Sequence, residues 1–214
     1  MHLPRQSNYP TVLSTEIHRE DIMKRLLITG FDPFGGATVN PAWEAVKQLP
    51  EQIGDYLLCK LEIPTVFALA AETVLEQAAT FRPDVILCIG QAGGRAAVTP
   101  ERIAVNIRDA KIDDNAGNRP SGERIAEDGP AAYFATVPVK EMAAAMETAG
   151  IPATVSNSAG AFVCNDTLYS LLHHYDGTAV RVGFIHVPYL PEQGQPNLPL
   201  NSIVSALTAA ISIL

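Results

Sequence analysis

From residue 23 onward, two hydrophobic patterns alternate along the chain. Short apolar runs bounded by Gly, Pro, Asn or Asp predict buried strands, and apolar residues that recur every three or four positions predict helices. The predicted strands are Arg25–Thr29, Tyr56–Ile63, Asp84–Ile89, Arg102–Ile107, Ala153–Ser156 and Val180–Val187. Such alternation is typical of an α/β sheet.

The helical pattern occurs in five segments. Asn40 is a good N-cap and Pro41 suits the first helical position, so a helix is predicted from there to about Leu49. Thr65 is predicted to cap a second helix, whose apolar face carries Val66, Leu69, Ala70, Val74, Leu75 and Ala78. The other helices are predicted at Val139–Ala149, Asn165–His174 and from about Leu200 to Ile213.

These elements predict one domain over residues 23–214. We expect a doubly wound, mixed but mostly parallel sheet with helices on both faces, a three-layer α/β/α fold. Residues 1–22 are polar, contain two prolines and show no period, so we expect a disordered extension. Residues 91–129 are rich in Gly, Asn, Asp and Pro, which indicates a functional excursion rather than a connector.

Composition and charge exclude some classes of function. The formal net charge of -8 argues against a nucleic-acid partner, because phosphate backbones require a basic surface. No apolar run approaches the roughly 20 residues that span a bilayer, and the N-terminus lacks a secretory apolar core. We therefore expect a cytoplasmic protein without a membrane partner. Its three cysteines fit free thiols better than a disulfide framework.

Two glycine-rich loops each follow a predicted strand. The first, residues 30–36 (GFDPFGG), has the outline of a phosphate loop but lacks the required Lys. The second, residues 90–95 (GQAGGR), does not fit a dinucleotide motif. Phe31 and Phe34 in the first loop are either core residues or the walls of a flat apolar slot at the strand's carboxyl end.

Cys164 is the most informative of the thiols. It directly precedes the predicted helix Asn165–His174, where the helix dipole and free backbone N–H groups favour a thiolate and an oxyanion. Cys59 and Cys88 lie inside apolar strands, where a thiol is normally inert. Cys164 is therefore the candidate nucleophile, although a buried structural thiol is the alternative until a base is found.

His186 is the candidate base. It ends an apolar strand, and the carboxyl ends of strands form the ligand sites of open α/β sheets. A Cys–His pair needs a third group that orients the imidazole. Spacing alone leaves that choice open among Asp32, Glu101, Asp109, Asp113, Asp114 and Glu192.

The same residues lie in a series of motifs that closely resembles the pyroglutamyl peptidase I (pyrrolidone-carboxylate peptidase) family. In family order, the motifs are TGFDPFGGATVNP at 29–41, IPTVF at 63–67, GQAGGRAAVTPERIAVN at 90–106, the segment 109–118, GAFVCN at 160–165 and GFIHVPYLPEQ at 183–193. The resemblance covers nearly all of the chain from Met23 onward.

The resemblance implies a cysteine peptidase that removes N-terminal pyroglutamyl residues from peptides, without a metal or organic cofactor. It implies Cys164 as nucleophile, His186 as general base and acid, and Glu101 as the orienting carboxylate. It also implies a substrate pocket with the lactam ring between aromatic side chains, a homo-oligomer that is often a tetramer, and these pocket positions: Phe31, Phe34, Asn40, Thr65, Gln91, Ile112, Phe162 and Val163.

One segment departs from the family pattern. The family's Ala-Arg-Ile-Pro-Asp-Asn reads Ala-Lys-Ile-Asp-Asp-Asn at residues 110–115. Lys111 keeps the positive charge but loses the planar guanidinium fork, and Asp113 replaces a rigid proline. Two alternative functions are a nucleoside phosphorylase-like enzyme, which would not need Cys164 or His186, and a non-catalytic module that binds a small molecule.

Overall fold

The computed structural model describes residues 23–214, and the predicted extension over residues 1–22 lies outside the described residues. The strands are β1 (Lys24–Phe31), β2 (Gln52–Ile53), β3 (Tyr56–Ile63), β4 (Val85–Gln91), β5 (Thr99–Pro100), β6 (Ile103–Val105), β7 (Arg108–Asp109), β8 (Ser121–Glu123), β9 (Ala132–Phe134) and β10 (Arg181–Val187). The helices are α1 (Pro41–Gln48), α2 (Leu69–Phe81), α3 (Val139–Thr148), α4 (Val163–His174) and α5 (Leu200–Ile211).

The main sheet has six strands in the order β2-β3-β1-β4-β10-β5. The central strands β3, β1, β4 and β10 are parallel, whereas β2 and β5 join the two edges antiparallel. The excursion over residues 91–129 contributes β5, β6, β7 and β8. Outside the main sheet, β7 pairs with β8, and β6 pairs with β9, which follows the excursion. The predicted mixed, mostly parallel sheet is therefore confirmed.

Helices cover both faces of the sheet, because alternate residues of the buried strands point to opposite sides. Leu26 and Leu87 pack with α1, α3 and α5 in one core, whereas Leu27 and Ile86 pack with α2 and α4 in the other. The three-layer α/β/α arrangement is confirmed. On β10, this alternation directs Phe184 into the core shared with α4 and places His186, two residues further on, on the same face.

The start of α2 was predicted wrongly. Thr65 does not cap the helix, which begins at Leu69 after Ala68, a residue with a φ of 62° and no side-chain capping bond. Two distant carboxylates take the place of a local cap, since Asp166 accepts the Ala68 N–H at 2.7 Å and Asp114 accepts the Phe67 N–H at 3.0 Å. Because the turn is shifted in this way, Leu69 is 45% exposed instead of buried.

Two further boundaries differ from the prediction. Residues 153–156 do not form a strand but make isolated bridges to the segment that contains β5, Val98 to Ala153 and Glu101 to Ser156. Helix α4 begins two residues earlier than predicted, so Cys164 is the second residue of the helix rather than the residue before it. The remaining helices and the four central strands agree with the prediction to within about two residues, as expected for element ends. The edge strands β2 and β5 were not predicted, and the predicted strand Arg102–Ile107 is the shorter β6, which lies outside the main sheet.

Candidate active site

The carboxyl ends of β4 and β10 bring the candidate nucleophile and base together. Gly90 on β4 and His186 on β10 are paired in register, and both are directed towards the face covered by α4. Cys164, in the first turn of α4, lies over Gly90: a Cβ at Gly90 would be 3.0 Å from Cys164 Sγ. Because adjacent strands are about 4.8 Å apart, the thiol lies over the residue that is paired with His186 on the neighbouring strand.

Glu101 reaches the same place from the neighbouring edge strand. β5 pairs antiparallel with β10, with Thr99 opposite His186, and the Glu101 N–H donates to the Phe184 carbonyl at 2.9 Å. This pairing directs the Glu101 carboxylate at the imidazole, and His186 Nδ1 is 2.7 Å from Glu101 Oε1. Glu101 is completely buried and His186 is 4% exposed.

This contact decides the tautomer of His186. An ionised carboxylate only accepts hydrogen bonds, so Nδ1 carries the proton that it donates to Glu101, and Nε2 is left as the acceptor. Burial by itself would raise the pKa of Glu101, but the hydrogen bond and charge of His186, with further contributions from Ser156 and Arg95, lower the pKa. Glu101 is therefore an anion at neutral pH.

Burial lowers the pKa of His186 below 6.5, although the hydrogen bond and charge of Glu101 act in the opposite direction. The positive charge of Arg95 lowers it further. At neutral pH the imidazole is therefore uncharged, the form that can accept a proton at Nε2.

Within residues 23–214, none of the other five candidate carboxylates is hydrogen-bonded to His186. Asp32 Oδ1 accepts from the Thr65 N–H at 2.7 Å and from the Asn115 side chain. Asp114 accepts four hydrogen bonds, one from the Phe67 N–H and three from its own loop. Asp113 pairs with Arg119 at 2.6 Å on the surface. Asp109 is the exposed residue of β7, and Glu192 lines a cavity. The geometry thus selects Glu101.

The environment of the Cys164 thiol differs from the expectation drawn from its position at a helix start. Burial, followed by the negative charge of Glu101, raises the pKa of Cys164 to about 12, and the positive charge of Arg95 does not outweigh them. The residue keeps partial exposure while its sulfur packs against Gly90. The resting thiol is therefore protonated, and both members of the Cys–His pair are neutral.

The first turn of α4 is anchored by the two residues after the cysteine. The Asn165 side chain accepts from the Val105 N–H at 2.9 Å and donates to the carbonyls of Val105 and Ile107. Asp166 is fully buried and pairs with Arg108 at 2.6 Å. The roles of Asn165 and Asp166 were not predicted from the sequence. Two adjacent polar residues at the start of a predicted core helix were the available signal.

Phe162 forms the N-cap of α4, and its side chain has no hydrogen-bond acceptor. Within the described chain, no side chain caps the N–H groups of residues 163–165, whereas the Asp166 N–H donates to the Phe162 carbonyl at 3.1 Å. Uncapped N–H groups at a helix start can bind an anion.

Three phenylalanines cluster at the start of α4, close in sequence to the thiol through Phe162. The ring centroids of Phe34 and Phe162 are 6.1 Å apart, and Phe67, which the analysis of the sequence did not assign, packs edge-on against Phe162 at 5.2 Å. Phe31 is only 2% exposed and packs against Phe184, so it is a core residue. Of the two loop phenylalanines, Phe34 is the one next to open space.

A cavity of about 530 Å³ lies beside Phe34. Its lining includes Gln91 and Ile112, two of the other predicted pocket positions, together with Tyr189, Glu192 and Gln193. Gln193 ties the walls together, since its side-chain amide donates to the Val39 carbonyl at 3.2 Å and to Gln91 Oε1 at 3.0 Å. Lys111, which replaces the family's arginine, is exposed next to Ile112.

The remaining predicted pocket residues organise the loops around the cavity. Asn40 Nδ2 donates to the Asp32 carbonyl at 3.0 Å while its Oδ1 accepts from the Ala42 N–H. Thr65 Oγ1 donates to the same Asp32 carbonyl at 3.1 Å. Val163 is fully buried at the start of α4. Asp32, whose carbonyl accepts from both Asn40 and Thr65, joins the first loop to the segment before α2.

Among residues 23–214, we find no helix long and apolar enough to cross a membrane. The same residues contain no group of three or more His, Cys, Asp or Glu side chains placed to hold a metal ion.

The sequence model of the family described as pyroglutamyl peptidase matches residues 24–214. The chain belongs to this family. Among curated relatives, it is 53% identical over 194 residues to the pyrrolidone-carboxylate peptidase of Levilactobacillus brevis, which covers 87% of this chain and 95% of the relative. It is 51% identical over 197 residues to the pyrrolidone-carboxylate peptidase of Bacillus licheniformis, covering 89% and 92% of the two chains.

Solved structures agree with the fold. The crystal structure of pyroglutamyl peptidase I from Bacillus amyloliquefaciens matches with a TM-score of 0.85 and 46% identity, covering 88% of this chain and 95% of that chain. The pyrrolidone carboxyl peptidase from Thermococcus litoralis matches with a TM-score of 0.85 at 37% identity, covering 89% and 93%. The implied family membership is therefore confirmed.

Proposed function

We propose that this chain is a cysteine exopeptidase that hydrolyses the bond after an N-terminal pyroglutamyl residue and releases 5-oxoproline. The observation that carries the proposal is the order of three side chains at one sheet edge. Cys164 Sγ lies over Gly90, Gly90 is paired in register with His186, and His186 Nδ1 is 2.7 Å from Glu101. This is the order of nucleophile, base and orienting carboxylate in acyl transfer.

Because both reacting groups are neutral at rest, the proton moves as the bond forms. Cys164 Sγ attacks the pyroglutamyl carbonyl carbon while its proton passes to His186 Nε2. Glu101 then faces an imidazolium and stabilises its charge without taking the proton. The N–H groups of the first turn of α4 are the donors for the oxyanion that develops on the carbonyl oxygen.

The second half of the reaction reuses the imidazole. His186 gives its proton to the nitrogen of the leaving peptide, the C–N bond breaks, and a thioester to Cys164 remains. The neutral imidazole then takes a proton from water, whose oxygen attacks the thioester. Free 5-oxoproline leaves and the thiol regains its proton.

The cavity beside Phe34 suits the proposed substrate. The pyroglutamyl group is small, flat and uncharged, so an aromatic wall and one or two polar partners, such as the backbone carbonyl of Gln91, are sufficient to bind it. An ordinary N-terminus carries a charged amine, which loses hydration when it packs against aromatic side chains such as Phe34 and Phe162. The proposed pocket positions around Phe34 and Phe162 therefore favour the lactam.

Release of the arylamine from a pyroglutamyl arylamide tests the proposal. We expect turnover by the reduced wild-type protein, a loss of about 10³-fold or more in Cys164→Ser, and no cleavage of an alanyl arylamide. Cys59→Ser is the matched control, because Cys59 is a half-buried thiol far from His186 in the fold. An inactive wild type, or a Cys164→Ser variant as active as Cys59→Ser, contradicts the proposal.

The cytoplasmic location and the homo-oligomer, a tetramer by family resemblance, stay predictions. Size-exclusion chromatography with light scattering measures the second directly. A particle four times the 22.9 kDa chain mass is the expected result.

A further inference from the structure

Arg95, in the second glycine-rich loop, contacts the carboxylate of the proposed Glu101–His186 dyad. Its Nη1 donates to Glu101 Oε1 at 2.6 Å, the same oxygen that His186 Nδ1 contacts at 2.7 Å. The Glu101 carboxylate is fully buried, whereas the Arg95 side chain is 30% exposed. One buried oxygen thus accepts from an imidazole and a guanidinium together.

The same guanidinium reaches the segment that leads to the nucleophile. Arg95 Nη2 donates to the Ser158 carbonyl at 3.0 Å. Ser158 belongs to a tight turn, in which its N–H donates to Ser156 Oγ and its hydroxyl accepts from the Gly160 N–H. Residue 161 and the N-cap Phe162 follow at once, and α4 carries Cys164 in its first turn.

We propose that Arg95 is a positioning residue for this site, which holds the Glu101 carboxylate on His186 and fixes the turn before Cys164 with the same planar group. This proposal rests on the proposed function, but the Arg95 contacts that support it are not among those that support that function. A guanidinium presents parallel donors in a fixed plane, so the two contacts set the distance between Glu101 and the turn.

The charge of Arg95 also acts on the imidazole. Glu101 and Arg95 are the charged groups that act on His186, since α4 presents the neutral Cys164 thiol and β4 presents Gly90, which has no side chain. Arg95 lowers the pKa of His186, in the direction opposite to Glu101. After His186 and Ser156, Arg95 also contributes to the lowered pKa of Glu101. By lowering the pKa of His186, it limits how strongly the imidazolium is held, which favours return of the proton to the leaving amine.

Two substitutions separate the charge from the geometry. Arg95→Gln removes both the charge and the planar donor group. We expect kcat to fall about 10- to 100-fold, as for a catalytic group displaced by about 1 Å, and KM to change by a smaller factor. The acid limb of kcat/KM moves to higher pH, because loss of the positive charge raises the pKa of His186. Arg95→Lys keeps the charge but not the fork, so the acid limb returns towards wild type while kcat is only partly restored.

The matched control is Arg119→Gln, which removes the same charge from an exposed pair with Asp113 and should leave kcat and the pH profile unchanged. Arg95→Gln with the wild-type kcat and acid limb overturns the proposal, as does a change confined to KM. If Arg95→Gln does not fold, Arg95→Lys provides the test, and a wild-type kcat in that variant overturns the positioning role.

The titration of His186 by NMR on histidine-labelled protein gives a readout that does not depend on turnover. An upward shift of its pKa in Arg95→Gln, absent in Arg119→Gln, supports the inference, and no shift contradicts it. A wild type without peptidase activity refutes the proposed function alone. An active wild type with unaltered Arg95 variants refutes this inference alone.

Discussion

His186 and Glu101 are joined by a 2.7 Å hydrogen bond across 85 residues of sequence. The antiparallel pairing of β5 with β10 creates this contact, because it places the Glu101 backbone against Phe184 and the carboxylate against the imidazole. The contact determines which ring nitrogen faces the thiol, and several properties of the site follow from it.

Glu101→Gln tests the tautomer. A glutamine amide can donate to Nδ1, which places the ring proton on Nε2 and removes the acceptor that Cys164 needs. We expect kcat to fall about 10²- to 10⁴-fold, by analogy with the known effect of an Asp→Asn change in a serine protease triad. Steady-state kinetics measures this, with Glu76→Gln on the exposed face of α2 as the control. Equal activity of the two variants would rule out an orienting role.

The protonated resting thiol is open to direct measurement. Because burial raises the pKa of Cys164 to about 12, ultraviolet difference spectra between wild type and Cys164→Ser should show no thiolate absorbance at neutral pH. A preformed thiolate–imidazolium pair would give a clear difference at the same pH. That result would show that the helix dipole outweighs burial at this site.

The acid limb of the pH profile reports on His186. The base must be neutral to act, and burial lowers the pKa of His186 below its ordinary value of 6.5. Protonation of the imidazole thus requires a lower pH, and kcat/KM for a pyroglutamyl arylamide should decline only below 6.5. An acid limb above that value would mean that the charge of Glu101 dominates over burial.

Gly90 provides the space in which the thiol and imidazole meet. A Cβ there would lie 2.8 Å from the Phe184 ring and 3.0 Å from Cys164 Sγ. We expect Gly90→Ala to lower kcat about 10- to 100-fold and to destabilise the fold by about 1–3 kcal/mol through overpacking. Kinetics and thermal unfolding measure the two effects. Full activity of Gly90→Ala would mean that the sulfur can move without loss of function.

Two arginine–aspartate pairs offer a comparison of buried and exposed ion pairs. Arg108 and Asp166 join the 105–109 segment to α4, with the aspartate fully buried, whereas Arg119 and Asp113 are both more than half exposed. Arg108→Gln leaves a buried charge unpaired and should cost about 3–5 kcal/mol. Arg119→Gln should cost less than about 1 kcal/mol. Urea unfolding measures the free energy of unfolding of both variants. Equal losses in the two variants would contradict the prediction.

Much of the fold was predictable because its signals are local. Apolar runs bounded by glycine and proline located the central strands, and Asn40 with Pro41 located the start of α1 closely. The start of α2 was not predictable in this way, since its capping groups come from Asp114 and Asp166. These acceptors lie 47 and 98 residues from the N–H groups that they bind.

The same division holds for the site. Cys164 at a helix start and His186 at a strand end were visible as single residues, because each position depends on its own element. The sequence by itself also determined the family through its ordered motifs. Only the tertiary structure decided by contact that Glu101 among six carboxylates meets the imidazole, that Arg95 shares its oxygen, and that Cys164 is a neutral thiol. Hydrogen-bond partners and desolvation depend on atoms that folding brings together from distant segments. Spacing along the chain does not indicate which of those atoms will be in contact.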